Sequence, residues 1–217
     1  MKFPCAAIFY DLDGTLTDTI DDLADAANAT LQSYNFPTHD VEAYKYFVGD
    51  GIETLFRRCA PKTVAMTTIK ELVCKNKEMY AKNWACKSKP YAGITEMLQK
   101  LIARKIPLAV LSNKPDEFTQ VVVKHFFPNI PFSLIQGSPL NGKAKPDPAL
   151  ALAMAKKLDI CPADIMFMGD TRTDMQTATN AGMIPVGVLW GFRPKSELVA
   201  YGAKIILEAP QDLFAYI

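Results

Sequence analysis

Two aspartates, Asp11 and Asp13, are separated by a single residue and follow a short apolar run near the start of the chain. Carboxylates held this close repel each other, so the pair favours a site in which a cation lies between them. Gly14 allows the chain to turn sharply after them, and Thr15 adds a hydroxyl. An ordinary acidic turn would look similar. A calcium-binding loop is excluded, because the residues that follow lack the further acidic pair and the terminal glutamate that it requires.

Two other segments carry side chains that could contact an anion. Ser112 and Asn113 offer a hydroxyl and an amide between an apolar run and a helical pattern, although both residue types also cap helices routinely. Lys143 and Lys145 lie on a loop that ends at Pro148, a residue typical of the first turn of a helix. A lysine on this loop could neutralise a phosphate oxygen, and two solvated lysines are the alternative.

A second pair of carboxylates, Asp170 and Asp174, follows a third apolar run. The spacing corresponds to about one helical turn, so both side chains can face the same site. Acidic residues also favour the first turn of a helix, where they interact with its positive end. The pair is therefore compatible with metal binding and also with a simple helix start.

All of these clusters border the predicted strands of one sheet. Short apolar runs alternate with amphipathic helical patterns, which is typical of βαβ units and of a parallel sheet covered on both faces. The strand candidates are residues 6–10, 108–111, 132–136, 165–168, 185–189 and 204–207. In such sheets ligands bind beyond the carboxyl ends of the strands. We therefore predict an α/β fold whose site lies at that edge of the sheet.

Residues 19–89 interrupt the alternation, because they carry helical patterns and no strand candidate. We predict that this segment is an all-helical cap domain, inserted into a catalytic core made of residues 1–18 and 90–217. The hinges are expected at residues 17–19 and 88–93. A cap inserted at this point is expected to close over the end of the first strand.

The composition leaves carboxylates as the main chemical groups. Lysine and arginine number 24 against 23 aspartates and glutamates, so no overall charge points to nucleic acid or a membrane as partner. Five scattered cysteines include no Cys-x-x-Cys pair, and two histidines without Gly-x-Ser-x-Gly give little material for a Ser-His-Asp hydrolase. No apolar run approaches the ~20 residues that span a bilayer. We expect a cytoplasmic protein with reduced thiols and no obligate protein partner.

The succession Asp-x-Asp-Gly-Thr, Ser-Asn, Lys-Pro and Gly-Asp-x-x-x-Asp resembles the haloacid dehalogenase superfamily over nearly the whole chain. The resemblance implies a Rossmann-like core and matches the position of the helical cap. It makes Asp11 the nucleophile and Asp13 the general acid and base. Ser112 and Lys145 would clamp the substrate phosphate. Mg²⁺ would be held by a carboxylate oxygen of Asp11, the backbone carbonyl of Asp13 and a carboxylate oxygen of Asp170.

The remaining candidates surround these groups. Asp174 would support the metal site or hold Lys145, and Thr171 is placed beside it in a supporting role. Further candidate substrate-binding residues are Gly14, Thr15, Asn113, Gly49, Asp50 and Gly51. The implied reaction is hydrolysis of a small phosphorylated metabolite through an aspartyl-phosphate intermediate. The retained Asp13 argues against the dehalogenase branch, because a departing halide needs no proton.

A closer resemblance is to the bacterial phosphoglycolate phosphatases, and it implies 2-phosphoglycolate as the substrate. The segments that carry it are Val-Gly-Asp-Gly at residues 48–51, Pro-Tyr-Ala-Gly at 90–93, Leu-Ser-Asn-Lys-Pro at 111–115 and Gly-Phe-Arg at 191–193. Ser112, where threonine is often seen, and Ala92, where proline is common, are modest departures. Neither change removes a group that the reaction needs.

The cap is expected to select this substrate through its loop at residues 49–51. Backbone N–H groups of the helix that follows could receive the substrate carboxylate, and Asp50 is expected to cap that helix. Glu53 and Arg57 have the spacing of an ordinary surface pair. We favour that pairing over a role for Arg57 or Arg58 in contacting the substrate.

Three other activities remain open at this stage. The family also contains enzymes that act on inorganic pyrophosphate and on nucleotides. A β-phosphoglucomutase-like phosphotransferase would share Asp11 and Asp13 but would keep the phosphoryl group away from water. A receiver-like signalling module, phosphorylated on aspartate, would have no use for a helical cap of this size. Phosphate release from a panel of small phosphates discriminates among them.

Overall fold

The computed structural model describes residues 2–139 and 143–217, and the chain divides into two compact units. The first unit contains Met1–Thr17 and Pro90–Ile217, and the second contains Asp18–Lys89. Strands and helices are numbered in chain order. Where the chain passes from one unit to the other, the short strands β2 (Thr17–Asp18) and β3 (Lys89–Pro90) pair with each other.

The first unit is built on a sheet that, in the described part of the chain, has six strands in the order β5-β4-β1-β6-β7-β8. Its strands are β1 (Ala7–Tyr10), β4 (Leu108–Pro115), β5 (Leu134–Ser138), β6 (Ile165–Gly169), β7 (Ile184–Val188) and β8 (Ile205–Leu207). Neighbouring strands pair in parallel throughout. The α/β prediction is therefore confirmed. A parallel neighbour can be reached only by a crossover connection, which is why helices alternate with the strands.

Helices of the first unit cover the sheet and bury its apolar side chains. They are α5 (Ile94–Ala103), α6 (Asp116–Phe126), α7 (Ala149–Leu158), α8 (Arg172–Asn180) and α9 (Lys195–Ala200). On one face, alternate strand residues such as Phe9, Leu111 and Phe167 pack with Met154 of α7 and Ala178 of α8. Strands β1, β6 and β7 are buried along their whole length, as near-continuous apolar runs require.

Strand β4 is longer than its apolar run predicts. The pattern predicts a strand over residues 108–111, whereas β4 continues to Pro115. Its pairing with β5 shifts register between Leu111 and Pro115. The polar residues in this irregular stretch are buried, and they are Ser112, Asn113 and Lys114. Hydrophobicity does not predict them as strand because their partners are polar groups of distant segments rather than apolar side chains.

The second unit is helical between its two boundary strands. Its helices are α1 (Ile20–Ser33), α2 (Val41–Phe47), α3 (Ile52–Cys59) and α4 (Met66–Asn83). Asp22 near the start of α1 accepts hydrogen bonds from the backbone N–H groups of Lys87 and Ser88 and from the Ser88 hydroxyl, so the two ends of this unit are joined. Among the helices of residues 2–139 and 143–217, none is long and apolar enough to cross a membrane.

Candidate active site

Three of the predicted carboxylates converge at the carboxyl ends of two neighbouring strands. Asp11 follows β1, Asp170 follows β6, and Asp174 lies in the first turn of α8. Since β1 and β6 pair in parallel, their ends meet at one edge of the sheet. Each of the three residues offers a carboxylate oxygen, and these atoms lie within 4.8 Å of one another. The side chains are buried, so the cluster is largely screened from water.

Lys145 is the cation of this cluster. Its Nζ atom lies 2.9 Å from Oδ1 of Asp11 and 2.6 Å from Oδ1 of Asp174, and its side chain is 1% exposed. The neighbouring Lys143 is 78% exposed and pairs with Asp147 on the surface. From the sequence alone, either lysine could be a solvated residue of this loop. The structure buries one of them among carboxylates and leaves the other in solvent.

The side chain of Asn113 positions the backbone of Lys145. Its Oδ1 accepts a hydrogen bond from the Lys145 N–H at 2.8 Å, and its Nδ2 donates to the Lys145 carbonyl at 3.0 Å. Asn113 is also a predicted substrate contact, and in the structure its amide holds the lysine loop. Ser112 is buried beside it, and its Oγ accepts a hydrogen bond from the Lys114 N–H at 3.2 Å.

Asp174 is fixed by the start of helix α8. Its Oδ2 accepts hydrogen bonds from the N–H of Thr171 at 3.1 Å and from the Thr171 hydroxyl at 2.7 Å. Thr171 is the N-cap residue of α8, and capping by side chains at such a position is worth about 1 kcal/mol in a typical helix. The other oxygen of Asp174 contacts Lys145. The helix start and the lysine are therefore positioned by the same carboxylate.

Asp170 is held by the loop that contains Thr15 and by a second loop that the sequence did not single out as part of the site. The Thr15 hydroxyl donates to Oδ1 at 3.2 Å, and the Phe192 N–H donates to Oδ2 at 2.8 Å. Thr15, a predicted substrate contact, is fully buried, and its hydroxyl contacts Asp170. A Cβ atom at Gly14 or at Gly191 would lie 2.3 Å from an atom of Asp170. Only glycine allows the two loops to approach this carboxylate so closely.

Asp13 lies outside the acidic cluster and pairs with a lysine that the sequence analysis missed. Nζ of Lys114 lies 2.9 Å from both carboxylate oxygens of Asp13. The side chains of Lys114 and Asp13 are 4% and 17% exposed. The only signal in the sequence was a lysine directly after the Ser-Asn pair, and lysines on predicted surfaces are too common to single one out.

Burial and charge repulsion shift the acidity of the cluster. Burial raises the pKa of Asp11 to about 7, against the opposing charge of Lys145 and with a contribution from Asp174. The pKa of Asp170 also lies well above its ordinary value, because the residue is buried and close to Asp174 and Asp11. Burial opposes the charged form of Lys145, but the nearby carboxylates of Asp11 and Asp174 outweigh it and raise the pKa.

This donor set fits a hard divalent cation. Three buried carboxylates face a single lysine that contacts two of them, so the cluster carries excess negative charge when it is ionised. Burial is the main cause of the raised pKa values of Asp11 and Asp170, and a bound cation would offset both burial and the added charge repulsion. Carboxylate and carbonyl oxygens are the ligands that Mg²⁺ prefers. Asp174 is the least suited of the three, since both of its oxygens already bind Thr171 and Lys145.

The candidate loop of the second unit, residues 49–51, leads directly into helix α3. Gly51 is the N-cap residue of α3 and, as a glycine, has no side chain with which to cap it. Asp50, the residue expected to cap this helix, forms an ion pair with Arg58 through its carboxylate. Arg57 pairs with Glu53 at 2.7 Å on the surface, as the spacing predicts.

Arg58 also donates hydrogen bonds to the backbone carbonyls of Tyr46 and Phe47 at the end of α2. These bonds and the pairing with Asp50 give the arginine partners within its own unit. Gly49 and Gly51 adopt positive φ angles of 106° and 88°, which few other residues adopt at low cost. The glycines and the ion pair between Asp50 and Arg58 therefore both shape the loop.

Comparison with known proteins gives consistent matches over most of the chain. The family model described as haloacid dehalogenase-like hydrolase matches residues 8–188. A phosphoglycolate phosphatase from Mannheimia succiniciproducens is 32% identical over 217 residues, which cover 97% of each chain. A phosphoglycolate phosphatase from Psychrobacter arcticus is 30% identical, over 95% of this chain and 90% of that protein. The crystal structure of a predicted phosphoglycolate phosphatase from Haemophilus somnus superposes with a TM-score of 0.90 at 27% identity, covering 97% of both chains.

Proposed function

The chain belongs to the haloacid dehalogenase-like hydrolases, and we propose that within this family it is a magnesium-dependent phosphatase of 2-phosphoglycolate. The observation that carries the proposal is the arrangement of Asp11 and Lys145. The carboxylate of Asp11 lies at the end of the central strand β1, and the buried ammonium of Lys145 is 2.9 Å from one of its oxygens. A carboxylate beside a fixed cation is suited to attack an anionic phosphate and to form an aspartyl-phosphate.

The contacts of Asp11 leave one of its oxygens for attack. Its Oδ1 accepts a hydrogen bond from the Leu12 N–H at 2.7 Å and contacts Lys145. Among residues 2–139 and 143–217, none donates a hydrogen bond to Oδ2 of Asp11. Two contacts on one oxygen fix the orientation of the carboxylate, so the other oxygen can be aimed at phosphorus. Fixed orientation of this kind is a major source of rate acceleration.

Lys145 acts on the phosphate as a point charge. Its position between Asp11 and Asp174 is fixed from both ends, by the carboxylates at the ammonium and by Asn113 at the backbone. A preorganised cation stabilises the charge that builds up on the transferring phosphoryl oxygens without the cost of reorganisation during the reaction. Ser112 lies at the same edge of the sheet and is the second candidate phosphate contact.

Asp11, Asp170 and the backbone carbonyl of Asp13 would hold the magnesium ion. When bound, Mg²⁺ supplies positive charge that cancels the repulsion between the substrate dianion and the Asp11 carboxylate. Asp174 and Thr171 position the residues around the ion, because their hydrogen bonds join the start of α8 to Lys145. Thr15 and Phe192 do the same for Asp170.

Asp13 is assigned the role of general acid and base. It protonates the oxygen of the departing glycolate and later removes a proton from the water that hydrolyses the aspartyl-phosphate. Its side chain is 17% exposed, more than the 9% of Asp11, so it is the more accessible of the two carboxylates. Accessibility suits a group that must exchange protons with a leaving group and then with water.

The choice of 2-phosphoglycolate rests on the names of the relatives and on the segments shared with them. It is tested by measuring kcat/KM for phosphate release from 2-phosphoglycolate, β-glucose 1-phosphate, a nucleoside monophosphate and pyrophosphate. The 2-phosphoglycolate value is expected to be the highest. A lead of tenfold or more for any other compound would reject this substrate, and it would leave the phosphatase activity itself standing.

A further inference from the structure

Lys114 is a buried cation beside the active site that the mechanism above does not use. Its side chain is 4% exposed, and its ammonium lies 2.9 Å from each carboxylate oxygen of Asp13. Burying a charge is costly unless it meets partners of opposite sign. The position therefore places a positive charge next to the general acid and base, in a site that already has Lys145 beside the nucleophile.

The ammonium of Lys114 lies close to where the leaving group must be. To protonate the bridging oxygen of the substrate, Asp13 must approach it to about 3 Å. Because Nζ of Lys114 is 2.9 Å from both oxygens of Asp13, it lies within about 6 Å of that bridging oxygen. In 2-phosphoglycolate one methylene group separates the bridging oxygen from the carboxylate. The carboxylate of the leaving group is thus within reach of the ammonium.

We propose that Lys114 is a specificity-determining residue whose ammonium contacts the carboxylate of the leaving group. The inference rests on the proposed function and extends it. Lys145 neutralises the phosphate end of the substrate from its position at Asp11, and Lys114 neutralises the carboxylate end from its position at Asp13. A substrate with a neutral leaving group gains nothing from the second cation, so it binds less tightly.

This assignment differs from selection by the loop at residues 49–51. That loop belongs to the second unit, and the charge of its Arg58 is paired with Asp50. Lys114 lies in the same unit as the nucleophile and is held by strand β4. The charge that selects the substrate therefore belongs to the sheet whose strand ends also carry the reacting groups.

The test compares two phosphonates that differ only in the group at the end away from phosphorus, which is a carboxylate in one and a methyl group in the other. 3-Phosphonopropionate copies 2-phosphoglycolate with a methylene group in place of the bridging oxygen, and propylphosphonate replaces its carboxylate by a methyl group. Their Kd values are measured by calorimetric titration with Mg²⁺ present, for the unaltered protein, Lys114→Met and Lys143→Met. Lys143 is the matched control, because it is an exposed lysine that pairs with Asp147 on the surface.

The unaltered protein and Lys143→Met are expected to bind 3-phosphonopropionate about tenfold or more tightly than propylphosphonate, the effect of one hydrogen bond to a charged group. In Lys114→Met this preference is expected to fall to about twofold or less. Lys114→Gln, which keeps a donor for Asp13 without the charge, gives the same comparison if Lys114→Met has no cooperative melting transition. An equal loss of affinity for both phosphonates would show that Lys114 only positions Asp13, and it would overturn the proposal.

The result of this binding test does not depend on the result of the substrate panel that tests the proposed function. Phosphonates are not hydrolysed, so their binding reports on charge recognition even if the substrate panel favours another phosphate. If the unaltered protein shows no preference for 3-phosphonopropionate, the inference about Lys114 is wrong whatever the panel shows. If the preference is present and depends on Lys114 while another phosphate leads the panel, the proposed substrate fails and the carboxylate contact stands.

Discussion

Asn113 and Lys145 are joined by two reciprocal hydrogen bonds, although the whole of α6 and β5 lies between them along the chain. The Lys145 N–H donates to Oδ1 of Asn113 at 2.8 Å, and Nδ2 of Asn113 donates to the Lys145 carbonyl at 3.0 Å. Both residues are buried. The amide side chain thus connects strand β4 to the loop whose lysine contacts the nucleophile.

This pairing predicts that Asn113→Ala impairs activity through Lys145. Without the amide, the buried N–H and carbonyl of Lys145 lose their partners, and the ammonium is no longer held at Asp11. We expect kcat to fall roughly 10²-fold, the effect of a small displacement of a catalytic group. The control is Asn180→Ala, because Asn180 donates to the carbonyl of Pro146 on the same loop but is exposed. Equal losses in the two variants would contradict the positioning role of Asn113.

The roles of the two aspartates at the end of β1 are separable by substitution. Asp11→Asn is expected to abolish phosphate release, because an amide is a poor nucleophile and a weaker metal ligand. Asp13→Asn keeps the backbone carbonyl and is expected to lose about 10²–10⁴-fold in rate, the usual contribution of a general acid. Asp25→Asn, at an exposed residue paired with Lys87, serves as the control. Substantial turnover by Asp11→Asn would reject the covalent mechanism.

The metal site predicts that stabilisation by Mg²⁺ depends on pH. In the metal-free protein the pKa of Asp11 is about 7, above the ~4 of an unfolded aspartate. The contribution of this group to stability is therefore fully present below about pH 4 and is lost as the pH rises through about 7. Mg²⁺ binds the ionised carboxylates and offsets this loss, so the rise in Tm on adding Mg²⁺ should be larger at pH 8 than at pH 6.

The same experiment distinguishes the metal site from nonspecific binding. Asp170→Asn is expected to remove most of the Mg²⁺-dependent rise in Tm at pH 8, since the residue is buried and within reach of Asp11. Activity of the unaltered protein is expected to vanish in a chelator and to return with Mg²⁺, while Ca²⁺ should compete and support little turnover. Full activity in the presence of a chelator would remove the metal from the proposed function.

The close approach at Gly169 predicts that even one added methyl group is harmful there. A Cβ atom at this position would lie 2.2 Å from Cβ of Asp174, so the start of α8 would have to move. We expect Gly169→Ala to destabilise the protein by about 1–3 kcal/mol, which corresponds to a fall in Tm of several degrees. It should also lower kcat, because Asp174 holds Lys145.

Gly182→Asn is the control for this substitution. Gly182 has a φ angle of +70°, which asparagine tolerates better than most residues, and no atom lies within 4 Å of its Cβ position. Its effect on Tm is expected to be small, and kcat should be unchanged. If Tm and kcat of Gly169→Ala were unchanged, the start of α8 could move away from the added methyl group at no cost, and this prediction would be wrong.

Most of the fold could be predicted from the chain because its signals are local. The apolar runs that end at Tyr10 and Met168 are recovered as β1 and β6, and their polar neighbours lie at the carboxyl ends as expected. The end of β4 was not predicted, since Ser112 and Asn113 are polar. Hydrophobic periodicity describes residues that exclude water, and it carries no information on buried polar residues whose partners lie in other segments.

The sequence by itself determined which groups can carry the chemistry, because residue types and short spacings such as that of Asp11 and Asp13 are written in the chain. Only the tertiary structure decided that Lys145 is buried while Lys143 is exposed. It also decided that Asn113 holds the loop of Lys145 and that Lys114 pairs with Asp13. It also showed that Asp50 pairs with Arg58. The physical reason is that burial and ion pairing depend on what the fold brings within about 3 Å, and sequence separation does not determine that distance.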